Sequence, residues 1–306
     1  MKDQTFGISC DWGTSTLRAY LLGKNDQILE KRVHPSGIMM VKDKAFESAF
    51  ESVVGDWMDK LPRLPIILSG MIGSRQGWKE TPYIECPTDV GKLYQNLVAI
   101  KLKRGRKVWI TPGLSCLSTA GIPDVMRGEE VQILGANTTI KANKSIICLP
   151  GSHSKWAIVS SGKVLEFVTY MTGELYETVT KNTILRTTIN SETWNSTAFL
   201  DGVDHARAPN NLLNHLFNVR SLNLFNKLSP NNSGAFLSGL IIGHELNDAT
   251  VHSGNTTIHL IGEGKLTNLY SIALNHLGFE TKTVPPEIVT AGHMQLLKML
   301  MGATSG

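Results

Sequence analysis

The sequence predicts an α/β protein built from two similarly organised halves, and three observations carry that expectation. Strand-like and helix-like segments alternate along all 306 residues. Apolar residues form 42% of the chain and charged ones 18%, the balance of an ordinary globular protein with enough length for two domains. A pattern of strand, Gly-and-hydroxyl turn and returning strand occurs twice, as "FGISCDWGTSTLRAYLL" near the start and "SIICLPGSHSKWAIVSSGKVLEF" near the middle. Two halves built alike imply two related domains with a cleft between them, where small-molecule sites concentrate.

The elements follow in order. Residues 5–33 alternate as two or three antiparallel strands, with turns at the Gly/Thr cluster and at "GKND". Residues 43–60 place Phe46, Phe50, Val53, Val54 and Trp57 at helical spacing, with Asp43 as the expected N-cap. "PIILSGMIG" reads as a buried strand entering a Gly-rich loop. "VGKLYQNLVAI" reads as one helix started by "PTD", and "RKVWITPG" as a strand. In "RGEEVQILGA" a helix opens at Gly128 with two glutamates in its first turn, where the helix dipole favours acids. Three strands then span "KSIICLPGSHSKWAIVSSGKVLEFVTY". An Asn-rich helical region covers about 178–230, followed by the apolar helix "SGAFLSGLIIGHELNDA". "TIHLIGEGKLTNLYSIALNHLG" gives strand, Gly turn and helix. "PPEIVTAGHMQLLKMLMG" closes the chain with a helix that Pro285 and Pro286 start. The domains are expected at 1–125, rejoined by the C-terminal helix 286–302, and at 126–285.

Composition excludes several classes. No apolar run approaches the ~18 residues of a membrane span, and "MKDQT" lacks the apolar core of a signal peptide. The cytoplasm is therefore the expected location. A net charge of +4 does not argue for nucleic acid, and "KLKRGRK" has no interleaved aromatics for base stacking. Cys10, Cys86, Cys116 and Cys148 form no CxxC pair and no zinc spacing, so they read as reduced structural thiols. A homodimer is an expectation that no particular residue supports.

The chemistry lies in the two turns. Gly and Ser/Thr at a hairpin tip let backbone N–H groups and hydroxyls approach phosphate oxygens. In the first hairpin these are Gly13, Thr14, Ser15 and Thr16, with Asp11 placed to hold Mg²⁺ directly or through water. In the second they are Gly151, Ser152, His153 and Ser154, with Lys155 to neutralise phosphate charge; His153 reads equally as a phosphate donor or a turn residue. The common nucleotide loops are absent: "HLIGEGKL" has His259 and Leu266 where a P-loop needs Gly and Ser/Thr. Gly262 and Gly264 nevertheless follow a strand and open a helix. Trp12 and Trp156, flanking the two turns, read as packing residues.

These pieces resemble the acetate and sugar kinase/Hsp70/actin superfamily. The resemblance implies two ribonuclease H-like (actin-like ATPase) domains with an interdomain active-site cleft. "CDWGTSTLRAYLL" is similar to its phosphate 1 hairpin, "LPGSHSKWAIV" to phosphate 2 and "LIGEGKLTNLYSIAL" to its adenosine motif. Glu129 stands where carbohydrate kinases of this group usually hold a catalytic Asp, with Glu130 as the alternative. "DWGTSTLRAYLL", "SGMIGSRQGWKETPYIECP", "MRGEEVQILGA", "LPGSHSKW" and "FVTYMTGELYE", in that order, resemble the 2-dehydro-3-deoxygalactonokinase family. That resemblance implies ATP-dependent phosphorylation of the 6-hydroxyl of 2-dehydro-3-deoxy-D-galactonate, a step of galactonate breakdown. A kinase for another 2-keto-3-deoxy sugar acid and a non-catalytic ATP-binding sensor are the alternatives. The substrate carboxylate suits the planar fork of an Arg. "GSRQGW" offers Arg75, with Ser74, Gln76 and Trp78 around it, while Arg18 and Arg127 are the other candidates.

Overall fold

In the computed structural model, which describes residues 4–140, 142–189, 194–251 and 253–303, the chain divides into two compact units. The first holds residues through Lys144, then Ala157–Phe167 and the segment from Pro285 onward; the second holds Ser145–Trp156 and Val168–Val284. The sequence expectation set the division after residue 125.

In the first unit, β1 (Thr5–Trp12), β2 (Leu17–Gly23) and β3 (Ile28–His34) form an antiparallel meander. Helix α1 (Phe46–Lys60) follows. Its start differs from expectation: Ala45 holds the N-cap position, while Asp43 sits earlier in a left-handed turn at φ 52° and caps nothing. Asp tolerates that conformation better than most residues. Strand β4 (Ile66–Ser69) runs parallel to β1. Strand β5 (Tyr83–Glu85) leads to α2 (Val90–Gln95), where Asp89 accepts the Lys92 N–H at 3.1 Å. The expected longer helix stops there. The alternating Val98 to Lys101 instead form β6 (Val98–Lys101), paired antiparallel with β7 (Lys107–Ile110). Strands β8 (Gly113–Leu117) and β9 (Pro123–Met126) join β5 in a small sheet that the sequence reading missed. Helix α3 (Glu129–Asn137) ends this stretch. The main sheet runs β3-β2-β1-β4-β7-β6.

The second sheet repeats that plan. Strands β10 (Lys144–Leu149), β11 (Ser154–Ser160) and β12 (Lys163–Tyr170) follow one another through short turns. Helices α4 (Thr172–Asn182), α5 (Ser196–His205), α6 (Leu212–Leu224) and α7 (Pro230–Ala249) come next. The asparagines of this region have a structural use: Asn195 caps α5 through the Ala198 N–H, and Asn211 caps α6. Strand β13 (Ile258–Ile261), helix α8 (Gly264–His276) and strand β14 (Thr281–Val284) complete the sheet, ordered β12-β11-β10-β13-β14. β13 is parallel to both β10 and β14. Each unit thus has a meander of three strands flanked by two parallel ones, the ribonuclease H-like arrangement the resemblance implies.

Helix α9 (Val289–Ala303) returns to the first unit and seats α3. A Cβ on Gly135 would lie 2.1 Å from the Ile288 carbonyl, and one on Gly292 2.2 Å from that of Val131, so only glycines allow this approach. The first core gathers Trp12, Phe46, Phe50, Trp57, Ile66 and Leu68 between α1 and the sheet. Full burial of one such side chain stabilises by about 1.5–3 kcal/mol. The second gathers Cys148, Trp156, Phe199, Leu260 and Tyr270. None of the four cysteines forms a disulfide, and burial pushes the Cys10 and Cys148 thiols up. Among the described residues no helix is long and apolar enough to cross a membrane.

Candidate active site

Asp11 lies near the end of β1, directly across the hairpin from Arg18 and beside Ser69 of β4. Its carboxylate accepts from Arg18 Nη1 at 3.4 Å. Burial raises the Asp11 carboxyl above its usual range, and Arg18 opposes that shift. At the tip, Gly13 N–H is spent on Thr16 O at 2.9 Å, closing the turn. Thr14 and Ser15 are exposed, and Gly13 and Thr16 half-buried. The tip is braced from outside, because Ile38 N–H donates to Gly13 O and Met39 N–H to Thr14 O. A Cβ on Gly37 would stand 2.2 Å from Thr14 O, so this glycine fits flat against the turn.

The acidic turn of α3 is brought to the same place through two glycines. Gly70, just after β4, has φ 93°; a Cβ there would meet Trp12 O at 2.7 Å and Asp11 Oδ1 at 3.2 Å. Gly128, the N-cap of α3, has φ 104°, and its Cβ would lie 3.1 Å from Gly70 Cα. Asp11, Gly70 and Gly128 therefore stack in sequence. The two glutamates that follow differ sharply. Glu130 is fully buried, accepting the Gly128 N–H and the Thr111 hydroxyl. Burial, then the neighbouring Glu129, raises its carboxyl to about 8. Glu129 is half-buried, and its Oε2 accepts the Arg127 N–H at 3.0 Å. The structure thus gives Glu130 a capping position and leaves Glu129 the more accessible of the two.

The "GSRQGW" loop places its residues unequally. Arg75 is 88% exposed and pairs with Glu80 at 3.1 Å. Gln76 is exposed and Ser74 half-buried. Trp78 packs its ring against Phe50 at 5.9 Å and Trp12 at 6.4 Å, which gives it a place in the core. Arg127 is buried instead of facing solvent. It donates to the Thr81 hydroxyl and carbonyl and lies 4.4 Å over the Tyr83 ring. Both terminal nitrogens of its guanidinium are committed to Thr81.

In the second unit, Gly151, Ser152 and His153 form the tip between β10 and β11, with Ser152 and His153 exposed. His153 Nε2 bonds Glu174 Oε2 of α4. Gly173 seats that helix on the tip: a Cβ there would fall 2.6 Å from Gly151 O, and Glu174 N–H donates to Ser152 O at 3.1 Å. Ser154 and Lys155 are turned inward. Ser154 Oγ bonds Tyr270 OH at 2.7 Å, and Lys155 Nζ donates to Thr169 Oγ1 at 2.7 Å. Both are buried, and Ser154 opens β11 instead of sitting at the turn where the sequence reading grouped it.

Gly262 and Gly264 shape the turn from β13 into α8, at φ 154° and 76°. A Cβ on Gly262 would strike Thr267 Oγ1 at 2.5 Å, whereas Gly264 has open space around it. Beside the start of α8 lies a mainly apolar cavity of about 250 Å³, lined by Thr172, Tyr176, Trp194, Ile241, Lys265 and Leu266 among others. Lys265 Nζ sits 4.4 Å over the Trp194 ring. Such a cavity suits a flat ring.

The family model for 2-keto-3-deoxy-galactonokinase matches residues 11–296, reaching from Asp11 into α9. The chain belongs to this family. It is 31% identical to the 2-dehydro-3-deoxygalactonokinase of Escherichia coli (strain K12), over 90% of this chain and 92% of that one. It is 36% identical to a protein of Rhizobium meliloti (strain 1021) named as a probable 2-dehydro-3-deoxygalactonokinase, over 95% and 96%. A crystal structure from Sinorhizobium meliloti, carrying the same provisional name, superposes with a TM-score of 0.89 at 34% identity, covering 96% of this chain and 99% of that one.

Within this family frame, several residues at the site escaped the sequence reading. Trp194 belongs to a segment with no pattern pointing at a ligand, whereas Gly37 follows a Pro-Ser turn signal and Gly173 and Tyr176 lie in "FVTYMTGELYE", a segment quoted for the resemblance without a role for either residue. Glu245 could have been found, as the acid embedded in the apolar helix "AFLSGLIIGHEL".

Proposed function

We propose that the chain transfers the γ-phosphoryl group of ATP to the 6-hydroxyl of 2-dehydro-3-deoxy-D-galactonate, in the cytoplasm, as a step of galactonate breakdown. The observation that carries this reading is Glu129, a half-buried carboxylate at the N-terminus of α3, a helix start that the Gly128–Gly70 contact brings toward the Asp11 end of β1. Membership of the 2-keto-3-deoxy-galactonokinase family supports the substrate class.

Phosphoryl transfer has a loose, highly charged transition state, so positioning and electrostatics supply most of the catalysis. Glu129 orients the 6-hydroxyl and accepts its proton. N–H groups and hydroxyls of Thr14, Ser15 and Thr16 donate to phosphate oxygens, as do those of Gly151, Ser152 and His153. The cavity beside Gly264 and Lys265 takes the adenine ring. For the sugar-acid carboxylate, Arg75 and Arg18 retain exposed guanidinium surface, whereas Arg127 is spent on Thr81 and Tyr83.

Asp11 fits Mg²⁺ in one respect: its half-buried carboxylate is offset by Arg18 across the hairpin and burial disfavours its charge. Among the described residues no group of three or more His, Cys, Asp or Glu could cage a metal. Mg²⁺ is commonly held by one or two carboxylates together with substrate phosphates and water. When bound, Mg²⁺ supplies neutralisation of the β- and γ-phosphate charge.

The test is a coupled ADP-release assay against a panel of 2-keto-3-deoxy acids, with the galactonate- and gluconate-derived epimers side by side. Turnover is expected with the galactonate-derived acid. No ADP release with any sugar acid overturns the reading and leaves a nucleotide sensor; faster turnover of another acid reassigns the substrate.

A further inference from the structure

Glu245, on α7, is an acid in an apolar setting. It is 3% exposed, and its neighbours on the helix, Leu246 and Ile242, belong to the second core. A buried carboxylate normally pairs with a cation, since removing the charge from water is costly. Here neutral donors do that work. Trp156 Nε1–H donates to Oε1 at 2.7 Å; the Thr172 hydroxyl and Tyr270 OH, the latter at 2.6 Å, donate to Oε2. Because the Tyr270 hydrogen is used on Glu245, Ser154 Oγ must be the donor in its own 2.7 Å bond to Tyr270 OH.

The donors come from separate elements, and each element also carries part of the nucleotide machinery proposed above. Ser154 and Trp156 lie on β11, immediately after the tip Gly151–His153. Thr172 opens α4, lines the 250 Å³ cavity and precedes Gly173, which bears on Gly151. Tyr270 belongs to α8, whose first residues Lys265 and Leu266 line the cavity. Glu245 itself lies one turn beyond Ile241 and Ile242, which also line it. One carboxylate therefore joins the phosphate turn, the helix seated on that turn and the two helices walling the cavity.

We propose that Glu245 is a positioning residue for nucleotide binding: it fixes the 151–153 turn and the cavity walls relative to each other, so that phosphates and base are met by one rigid arrangement. This rests on the reading that the second unit binds ATP. Glu245 touches no ligand itself and acts through Ser154, Thr172 and Tyr270. An interlocked polar set of this kind rigidifies only while every member is satisfied.

The experiment measures KM for ATP, KM for the sugar acid, kcat and direct ATP affinity in the full chain and two variants. Glu245→Gln keeps one carbonyl acceptor but turns an amide donor toward the donors. Tyr270→Phe removes both bonds of that hydroxyl, the one donated to Glu245 and the one accepted from Ser154, and leaves the carboxylate in place, so the question survives if the first variant folds poorly. The expected result is a rise of about tenfold in ATP KM and dissociation constant for Glu245→Gln and about threefold for Tyr270→Phe. The sugar-acid KM stays within about twofold in both, as does kcat. A lowered melting temperature with ATP KM unchanged at 25 °C overturns the proposal, as does an equal rise in both KM values. If the wild type turns over no sugar acid and binds no ATP, the underlying reading fails instead.

Discussion

Glu130→Gln is expected to stabilise the protein at neutral pH, and the size of the gain follows from the environment of this side chain. Glu130 is fully buried, and burial together with Glu129 raises its carboxyl from the ordinary 4.5 to about 8. A carboxyl raised on folding contributes its full stability below pH 4.5, where folded and unfolded chains both hold the proton. That contribution is lost as pH climbs toward 8, because the unfolded chain ionises first. Each pH unit in that window corresponds to about 1.4 kcal/mol, so about 3 kcal/mol is gone by pH 7. Gln cannot ionise, yet its carbonyl can accept the Gly128 N–H and its amide can donate to the Thr111 hydroxyl, the partners Glu130 has now. Urea unfolding of both proteins at pH 5, 6, 7 and 8 gives the difference in unfolding free energy. The variant should gain about 1.4 kcal/mol per pH unit up to pH 7 and level off near 8. Other groups shifted by burial titrate in the wild type: the carboxyls of Asp11 and Glu245, both raised, and His293, lowered to about 3. All are present in the variant, so the difference curve isolates Glu130. Parallel curves across the range would refute the reasoning.

Glu129→Gln should lower kcat by about 10²–10⁴-fold while ATP still shifts the melting temperature; normal turnover would move the base role to Glu130. Arg75→Ala should raise the sugar-acid KM severalfold and leave unfolding within about 0.5 kcal/mol, because its ion pair with Glu80 is exposed. Arg127→Ala should cost about 2–3 kcal/mol of stability, since it strips the buried Thr81 of two charge-assisted bonds; equal losses for the two arginines in denaturant titrations would contradict both assignments. Gly173→Ala should raise the ATP KM, because its Cβ would meet Gly151 O at 2.6 Å and push α4 off the turn; a wild-type KM would show that the seat is not needed.

Much of the fold was legible because period and punctuation agreed. The alternation of β1 and β2, the Gly128 start of α3 and the Pro286 start all carried local signals, whereas α7 begins at Pro230, ahead of the Ser233 start read from its apolar run. The small β5-β8-β9 sheet did not, because its strands are three to five residues long and pair across distant segments. Within the site, residue type identified the hairpin tips, but type says nothing about which way a strand residue faces. Ser154 and Lys155 look like phosphate donors in "PGSHSK" and are both buried. Arg75 and Arg127 carry the same charge, yet only the structure separates an exposed guanidinium from one locked against Thr81 and Tyr83.

The two units also solve the same local problem with the same device. In each unit a helix start is pressed against the segment that the proposal assigns to the site, and a side chain at the contact would hold the two apart. In the first unit Gly128, at the start of α3, meets Gly70, which in turn abuts Asp11 and Trp12 O. In the second, Gly173, in the first turn of α4, meets Gly151 and Ser152. The contact in the second unit brings a helix N-terminus, with its positive dipole end, to the tip of a turn, and that in the first brings one to the loop after β4 beside the end of β1. Each also delivers a carboxylate in the first turn of that helix, Glu129 and Glu174. They differ in what the carboxylate meets: Glu174 is bonded to His153, while Glu129 folds back on the Arg127 N–H. A base must be able to release such a bond for a substrate hydroxyl, and a backbone N–H two residues away can be released by a rotation of the side chain alone. Glu174 would have to give up His153, a donor on the phosphate turn itself. That difference supports the proposed division of roles, with the base on α3 and phosphate binding beside α4.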